Sequence, residues 1–365
     1  MHVKAAVARA PDADFSVEFV ELDEPRTDEI LVRVVGVGIC HSDLVMKTFA
    51  SATTPVVLGH EGAGIVERVG SKVVKVQPGD RVAITFRACG HCYQCRVGQP
   101  AYCEHMAMLN LAGTRPDGSK SLCAHGLPIS GNFFGQSSFA SHCLTYESNV
   151  VKVPDDAPLE IMGPLGCGIQ TGAGGIMRSL ACEAGSSLLV LGGGAVGLSA
   201  VLGAVIQGCA TIIVVEPHAA RRALAIELGA THTLDPRSAS DLAAAVRNIL
   251  PQGVNYALDT CGIPSVQAAV MACLAMRGTF GIVAISPPAT PVPGDLGALL
   301  AGGHRVQGII EGDSNPDEFI PELIRLYRDG RFPFDKLVRT YPFEQINQAA
   351  ADQLNGVCVK AVLLL

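Results

Sequence analysis

The sequence lacks the features of a protein that binds nucleic acid. No run of Lys or Arg among its 365 residues is dense enough to neutralise a line of phosphates, and the formal net charge is −7. Trp is absent, and aromatic side chains make up only 5% of the chain. With 48% apolar and 17% charged residues, the composition is typical of a well-packed globular protein. We therefore expect a folded chain without a nucleic-acid partner.

An uninterrupted apolar export signal is also missing. Polar or charged side chains interrupt residues 1–19 at His2, Lys4, Arg9, Asp12 and Asp14. This pattern predicts a cytoplasmic protein. The chain has 13 cysteines, which without an export signal are better interpreted as metal ligands and buried thiols than as disulfides.

One uncharged stretch, residues 187–215, is long enough to span a bilayer. Its glycines divide it into strand, turn, helix and strand, and β-branched residues are concentrated at its two ends, which is typical of a buried sheet. The dividing glycines are Gly192, Gly193, Gly194, Gly197, Gly203 and Gly208. We therefore predict no membrane segment.

The chain is longer than the roughly 250–300 residues at which a single core stops growing, so two domains are expected. Residues 3–152 contain short, apolar, β-branched segments separated by Gly, Pro and Asp, such as 30–37, 64–69 and 81–85. This pattern predicts an all-β domain with a barrel-like fold.

After residue 168 the pattern changes to strands that alternate with helices. Predicted strands cover 188–191, 211–216, 231–234, 254–259, 279–284 and 305–310, and predicted helices cover 195–207, 219–228, 239–249 and 264–276. Such alternation predicts a doubly wound parallel sheet, so the fold class is α/β plus β. The tail carries helices near 319–329 and 343–355 and a strand at 360–365, which we expect to return to the first domain.

Four cysteines follow the spacing Cys89-x2-Cys92-x2-Cys95-x7-Cys103. Four thiolates on one loop can enclose a tetrahedral ion and leave no open position, which favours a structural zinc site. The alternatives are an iron–sulfur cluster and a disulfide loop. The common ferredoxin run has three residues before its fourth cysteine and Pro after it, whereas here seven residues intervene and Glu104 follows.

A glycine-rich turn, Gly192-Gly193-Gly194-Ala195-Val196-Gly197, follows a predicted strand and opens a predicted helix. This context predicts a dinucleotide site with the pyrophosphate at the helix start, where Gly192, Gly194 and Gly197 permit close approach. Glu216 ends the next predicted strand, where an acid can bond the ribose and repel a 2′-phosphate, so NAD is preferred to NADP. Arg221 and Arg222 could pair with a phosphate or simply form a charged helix face.

The segment Gly59-His60-Glu61-x2-Gly64-x5-Gly70-x2-Val73 resembles the signature of zinc-containing medium-chain alcohol dehydrogenases. The four-cysteine segment and the glycine turn follow in that family's order, so the resemblance covers nearly the whole chain. It implies a GroES-like catalytic domain over residues 1–168 plus 311–365, with a zinc lobe at 89–103. It also implies a Rossmann domain that binds NAD over residues 169–310.

The resemblance implies a catalytic zinc held by Cys40, His60 and Cys167, so that each chain binds two zinc ions. Three protein ligands leave a fourth position open for water or substrate, as a Lewis-acid site requires. Taken alone, each of these residues could equally be an ordinary buried thiol or imidazole. Asp43 is expected to orient a zinc ligand and Glu61 to lie beside the metal.

Ser42 resembles the family hydroxyl that bonds the substrate oxygen and passes its proton to the cofactor ribose. Many relatives continue this relay at a histidine three residues later, where this sequence has Val45, so the relay must end in water or another group. His41 and Lys360 resemble positions that contact the pyrophosphate.

Segments similar to residues 103–150 help to line the substrate pocket in the family, which suggests pocket roles for apolar side chains of this chain. The candidates are Met108, Phe133, Phe134, Ile285, Ile309 and Ile310. Ordinary core packing is the alternative for each of them. The segment 308–314 resembles the benzyl or aryl alcohol dehydrogenase branch.

These observations predict a reversible, NAD-linked oxidation of a bulky apolar primary alcohol, aromatic such as benzyl alcohol or terpenoid such as geraniol, to its aldehyde. The alternatives are a glutathione-adduct or polyol dehydrogenase, an NAD-binding regulator without turnover, and an iron-containing electron carrier. Family resemblance also predicts a homodimer or homotetramer, joined through edge strands of the cofactor sheet near residues 281–286.

Overall fold

The computed structural model describes residues 1–238 and 241–365, and the chain divides into two units. The first unit comprises Met1–Gly168, Asn315–Gly330 and Asp335–Leu365, and the second comprises Ile169–Ser314 and Arg331–Phe334. The chain passes from the first unit to the second at Gly168 and back after Ser314, and residues 331–334 belong to the second unit. The division predicted from the sequence, at residues 168 and 310, stays a prediction.

The first unit is built from two mainly antiparallel sheets around one apolar core. Its central strand, Glu29–Gly38, is buried along most of its length and pairs antiparallel with three others. One of these partners is the last strand, Lys360–Leu364, so the tail completes the sheet of this unit. The strands are His2–Ala8, Ser16–Leu22, Glu29–Gly38, Val56–Val57, Glu61–Val69, Arg81–Ile84, Leu122–Ala124, Leu127–Ile129, His142–Tyr146, Val150–Lys152, Val338–Pro342 and Lys360–Leu364.

Short helices interrupt the region that we predicted to be entirely β. They lie at His41–Lys47, Tyr93–Arg96 and Met106–Leu111. The first forms because Asp43 accepts a hydrogen bond from the backbone N–H of Cys40 and so caps the helix start. In the tail, the helices Pro316–Arg328 and Ile346–Leu354 agree with the predicted pair to within a few residues.

The second unit contains a parallel sheet of six strands with helices between them. In spatial order the strands are His232–Leu234, Thr211–Val215, Ser187–Leu191, Val254–Asp259, Leu274–Ile282 and Arg305–Gly308. The strand order reverses between Ser187–Leu191 and Val254–Asp259, and ligands bind at this point in open α/β sheets. The fold class predicted from the sequence is thus confirmed. The helix Gly168–Gly174 begins at the last residue of the first unit and continues in the second. The other described helices of the second unit are Ala195–Gln207, Ala219–Glu227, Leu242–Ile249, Pro264–Val270 and Leu296–Gly302.

Two predictions for this unit are wrong. The helix predicted over residues 264–276 ends at Val270, and the strand Leu274–Ile282 begins earlier than expected, because a short apolar run fits either element. That strand has a partner on each side, so it is not the edge we expected near residues 281–286. In the described part of this sheet, the edges are His232–Leu234 and Arg305–Gly308.

The helix predicted over residues 239–249 begins at Leu242, where the Asp241 side chain accepts from the N–H of Ala244. Its predicted first two residues, 239 and 240, lie outside the described residues. Within residues 1–238 and 241–365, no helix combines the length and apolar character needed to cross a bilayer.

Candidate metal centres and cofactor turn

Pairing of two strands brings the predicted catalytic ligands together. Gly38 and Glu61 are direct partners across the sheet, so Cys40, just beyond one strand, lies near His60, just before the other. The ligand atoms of Cys40, His60, Glu61 and Cys167 all lie within 4.8 Å of one another. The structure thus assembles in space a group that is dispersed over more than a hundred residues of sequence.

Cys167 reaches this group because its loop lies directly against the sheet. A Cβ on Gly163 would lie 2.0 Å from the carbonyl oxygen of Glu61, and one on Gly166 would lie 2.0 Å from that of Ile84. Only glycine permits this approach. Thr85 also holds the loop, since its hydroxyl donates a 2.6 Å hydrogen bond to the carbonyl of Gly166.

The buried carboxylate of Asp43 orients two of the candidate ligands. Its Oδ1 lies 2.8 Å from Nδ1 of His60 and accepts from the N–H of Gly59 at 3.0 Å. Its Oδ2 accepts from the N–H of Cys40 at 2.9 Å. Because a carboxylate accepts the proton of Nδ1, Nε2 of His60 is left to act as a ligand.

Ser42 lies at the same group of atoms. Its hydroxyl is 3.1 Å from the sulfur of Cys40 and 3.3 Å from Nε2 of His60. His41, by contrast, is an exposed residue at the start of the helix His41–Lys47. The hydroxyl predicted to handle the substrate proton is therefore adjacent to the ligand atoms.

Glu61 and Lys360 form a buried ion pair beside the sulfurs. The ammonium donates to Oε2 at 2.8 Å, to Oε1 at 2.9 Å and to the carbonyl of Ile39 at 3.0 Å. Gly168 N–H donates to Oε1 at 3.1 Å. Lys360 is only 2% exposed, and its ammonium is bonded to the carboxylate of Glu61. Its expected contact with the pyrophosphate stays a prediction.

Neighbouring charges, hydrogen bonds and burial shift the pKa values of this group. A hydrogen bond from the Cys167 thiol, aided by the charges of His60 and Lys360, holds the pKa of Cys40 well below its usual range against the effect of burial. Burial alone would lower the pKa of His60, but the charges of Asp43 and Cys40 raise it well above its usual range. Burial raises the pKa of Glu61 in spite of Lys360. Two thiols and an oriented imidazole, with a carboxylate adjacent, are the donor set that zinc prefers, so the residues fit that ion.

Two phenylalanines pack against His60, and their pocket roles stay predictions. The Phe134 ring stacks on the imidazole at 4.5 Å between centroids, and Phe133 contacts it edge-on at 5.2 Å. Phe134 has a backbone φ of +51°, which is unfavourable for a bulky side chain. Sequence reasoning missed Gln136, whose side chain donates to the His60 carbonyl at 2.9 Å, because no sequence pattern marks it.

Met108, another predicted pocket residue, lines a cavity of the first unit. Met108 is 47% exposed and lines a cavity of about 470 Å³ together with Arg87, His91 and His105. The lining of that cavity contains none of the candidate catalytic ligands. Met108 turns to this side because its neighbours Leu109 and Asn110 take the buried positions on the helix. Two further candidates in the second unit, Ile285 and Ile310, are 78% and 43% exposed, whereas Ile309 is buried, so their pocket roles stay predictions.

The four cysteines predicted to bind a second ion also converge, with their sulfurs within 4.8 Å of one another. Backbone N–H groups point at these sulfurs: Cys92 donates to Cys89 and Cys89 donates to Cys103, both at 3.3 Å. N–H groups of Glu104 and Cys95 lower the pKa of Cys92 to about 6. Four thiols with such support fit a tetrahedral zinc.

The glycine turn has the geometry expected of a dinucleotide fingerprint. Gly192 has a φ of +101°, and a Cβ on Gly197 would lie 1.9 Å from the carbonyl oxygen of Gly192. Gly194 caps the helix Ala195–Gln207, and no atom lies within 4 Å of its missing Cβ. The turn therefore needs glycine for its backbone and leaves open space at the helix start.

Glu216 lies directly after the strand Thr211–Val215 and faces this turn. Its Oε2 accepts from the N–H of Gly193 at 2.7 Å, and Oε1 is 2.6 Å from Nδ1 of His218. His218 was missed because no spacing rule identifies it. Arg222 donates to the carbonyl of Glu216 and pairs with Asp235 at 3.1 Å, while Arg221 lies beside it on the helix Ala219–Glu227.

Comparisons with known proteins agree with both units. Residues 26–155 match the model of the alcohol dehydrogenase GroES-like domain, and residues 195–328 match that of the zinc-binding dehydrogenases. The chain is 47% identical to geraniol dehydrogenase of Castellaniella defragrans over 362 residues, which covers 99% of this chain and 97% of that protein.

Solved structures show the same similarity. An alcohol dehydrogenase zinc-binding domain protein from Burkholderia ambifaria superposes with a TM-score of 0.96 at 50% identity, covering 100% of this chain and 99% of that one. Benzyl alcohol dehydrogenase from Acinetobacter calcoaceticus superposes with a TM-score of 0.95 at 41% identity and the same coverage. A GroES-like unit, a Rossmann-like unit and convergent zinc ligands define a zinc-binding oxidoreductase.

The chain belongs to the zinc-dependent medium-chain alcohol dehydrogenase family. This confirms the resemblance drawn from the sequence. It makes the protein an enzyme that acts on small-molecule alcohols and uses zinc and a nicotinamide dinucleotide.

Proposed function

We propose that this enzyme oxidises bulky apolar primary alcohols, aromatic or terpenoid, reversibly to aldehydes with NAD as the hydride acceptor. The observation that carries the proposal is the pair Phe133 and Phe134 packed on the imidazole of His60. The half-buried ring of Phe134, backed by the buried ring of Phe133, supplies an apolar aromatic surface beside the candidate metal ligands, which suits a ring or an isoprenoid chain better than a charged or polyhydroxylated substrate. The names of the geraniol and benzyl alcohol relatives support the same substrate class.

In this proposal Cys40, His60 and Cys167 hold the catalytic zinc. Bound there, the ion supplies a Lewis acid for the substrate hydroxyl. Asp43 fixes the imidazole of His60 through the 2.8 Å contact at Nδ1, and Glu61 is held beside the ligands by Lys360. A second zinc per chain is held by Cys89, Cys92, Cys95 and Cys103 and stabilises the lobe.

Ser42 carries the first step of proton transfer in the proposal. Its hydroxyl lies within 3.3 Å of both Cys40 Sγ and His60 Nε2, so it is adjacent to the position where a substrate hydroxyl binds. There it accepts the alcohol proton as it donates its own toward the cofactor ribose. Val45 cannot continue such a relay, so the proton leaves through water or another group.

The preference for NAD over NADP is supported by Glu216. Glu216 is only 3% exposed at the glycine turn, where a negative charge can bond a ribose hydroxyl and repel a 2′-phosphate. Arg222 is engaged with the Glu216 carbonyl and with Asp235, which reduces its capacity to attract that phosphate. His41, Gly192, Gly194, Gly197, Arg221 and Lys360 complete the proposed set of cofactor contacts.

We also propose that the enzyme is a cytoplasmic homodimer or homotetramer. None of its 13 cysteines, all within the described residues, forms a disulfide, which suits a reducing compartment. The second unit has an edge strand at Arg305–Gly308 and exposes Ile285, Leu296 and Leu300 at 78%, 85% and 86%. Exposed apolar side chains of this kind are typical of a surface covered by a second subunit.

The substrate class is tested by comparing kcat/KM for benzyl alcohol, geraniol and ethanol with NAD. We expect the two bulky alcohols to be preferred. Phe134→Ala should reduce that preference about tenfold, since a lost apolar wall costs about 1–3 kcal/mol of discrimination. The matched control Phe19→Ala removes a phenylalanine that is 69% exposed and should leave the preference unchanged. A wild-type preference for ethanol contradicts the proposal.

A further inference from the structure

Two histidines flank the four-cysteine lobe and have no part in the proposed reaction. His91 lies between Cys89 and Cys92, and His105 follows Cys103 by two residues. Both are exposed, and their ring centroids are 5.9 Å apart. One ring nitrogen of each, together with the sulfur of Cys89, forms a group in which every ligand atom lies within 4.8 Å of the others.

Hydrogen bonding leaves nitrogen lone pairs of both rings available. Nδ1 of His91 lies 2.8 Å from the carbonyl oxygen of Cys89, and because a carbonyl can only accept, Nδ1 carries the proton. Nε2 of His91 is then the lone-pair nitrogen, as in many histidine metal ligands. The imidazole of His105 makes no hydrogen bond in the part of the chain that the structure describes, so either of its nitrogens can bind an ion.

The lobe attracts cations once its inner ion is bound. Four thiolates around one divalent ion leave a net charge of about −2, and a thiolate already bound to one zinc keeps lone pairs for a second. The two histidines and Cys89 also line the cavity of about 470 Å³ described above, so an ion can reach them from solvent. The lining of this cavity includes two basic residues, Lys72 and Arg87, and two acidic residues, Asp28 and Glu147, whose charges offset each other.

We propose that His91, His105 and the sulfur of Cys89 form an outer, exchangeable site for a borderline divalent ion such as Zn²⁺, from which the ion passes to the four cysteines. Cys89 belongs to both ligand groups, so an incoming ion can replace imidazoles with thiolates while the ion already held by the four cysteines gives up those thiolates and leaves to solvent. Where the four-cysteine group is still empty, each thiol that becomes a ligand gives its proton to water.

The test uses the holoenzyme without a histidine tag. In equilibrium dialysis with Zn²⁺, we expect a third, weaker zinc per chain that the double variant His91→Gln/His105→Gln loses. Isotopically labelled Zn²⁺ should also enter the four-cysteine site more slowly in the double variant, by about tenfold, the lower end of the effect of losing supporting metal interactions. The matched control His232→Gln, an exposed histidine of the second unit, should behave as wild type.

The double variant and the His232→Gln control should both keep two tightly bound zinc ions and full alcohol oxidation, because none of the three substituted histidines belongs to the proposed catalytic group. If they do, loss of the third ion from the double variant is not caused by misfolding. Absence of a third ion in the wild type, or its full retention in the double variant, overturns the site. An unchanged rate of labelled zinc entry in the double variant overturns its role in delivery.

Discussion

The two candidate zinc-ligand groups of this enzyme are built in opposite ways. The four cysteines of the lobe lie within residues 89–103, and backbone N–H groups of the same segment support their sulfurs. The proposed catalytic ligands come from residues 40, 60 and 167, and buried side chains from as far away as Lys360 support them. A closed site can therefore be formed by one loop, whereas a site that leaves a position for substrate depends on the whole sheet of the first unit.

The largest expected effect concerns the buried ion pair of Glu61 and Lys360 beside the proposed catalytic ligands. Lys360→Met leaves Glu61 buried without its partner and should destabilise the protein by roughly 3–5 kcal/mol, measured as the loss of unfolding free energy in denaturant. Adding Glu61→Gln to the Lys360→Met variant should restore part of the lost unfolding free energy, because the buried charge is then removed. The matched control Lys4→Met breaks an exposed pair with Glu344 and should cost less than about 1 kcal/mol. Equal losses of unfolding free energy in Lys360→Met and Lys4→Met would show that the buried pair contributes no more to stability than the exposed pair.

An intermediate effect is expected for the residue that orients the imidazole. Asp43→Asn should weaken zinc binding at the proposed catalytic group by about 10–100-fold, because the amide supports the imidazole less strongly than a carboxylate does. Competition with a chelator measures this loss, and the zinc of the lobe should be retained. Asp156→Asn, at a carboxylate 59% exposed, serves as the control. Simultaneous loss of both ions from Asp43→Asn would contradict the independence of the two groups.

The smallest expected effect concerns the four-cysteine lobe at residues 89–103. Tyr93 lies among the cysteines but is 60% exposed, and the sulfurs accept bonds from backbone N–H groups rather than from its side chain. Tyr93→Ala should therefore change stability by no more than about 0.5 kcal/mol and leave two zinc ions per chain by metal analysis. Cys95→Ser should lose the lobe zinc in the same assay. Zinc loss in Tyr93→Ala would mean that side-chain packing, and not the backbone, holds this lobe.

The same contrast explains what the sequence could predict. The cysteine spacing and the glycine turn are local patterns, and the helix Ala195–Gln207 has the predicted bounds because Gly194 and Gly208 delimit it. The three dispersed ligands were joined only by family resemblance, since nothing in their spacing relates Cys167 to Cys40. Strand pairing brings these residues together, and it depends on two separate segments, so the pattern of one segment alone does not predict it.

Other features could not be predicted for a related reason. Lys360 and Glu61 are 299 residues apart in sequence, and each alone has the pattern of an ordinary charged residue. The helix predicted over residues 264–276 was too long because the apolar run near Leu274 fits a strand as well as a helix. Met108 faces a cavity of the lobe rather than the His60 group, and the choice of helix face depends on packing that only the folded chain defines.

The pairing of Lys360 with Glu61 also has a consequence for synthesis. On the ribosome all four candidate ligands of the lobe are present once residue 103 has emerged, while most of the chain is still missing. Glu61 gains its buried cation only after residue 360 has been made and the strand Lys360–Leu364 has joined the sheet. Since chains fold from their N-terminal part during synthesis, we expect the ligand group of the lobe to be complete early and the buried pair beside Cys40, His60 and Cys167 to be completed last.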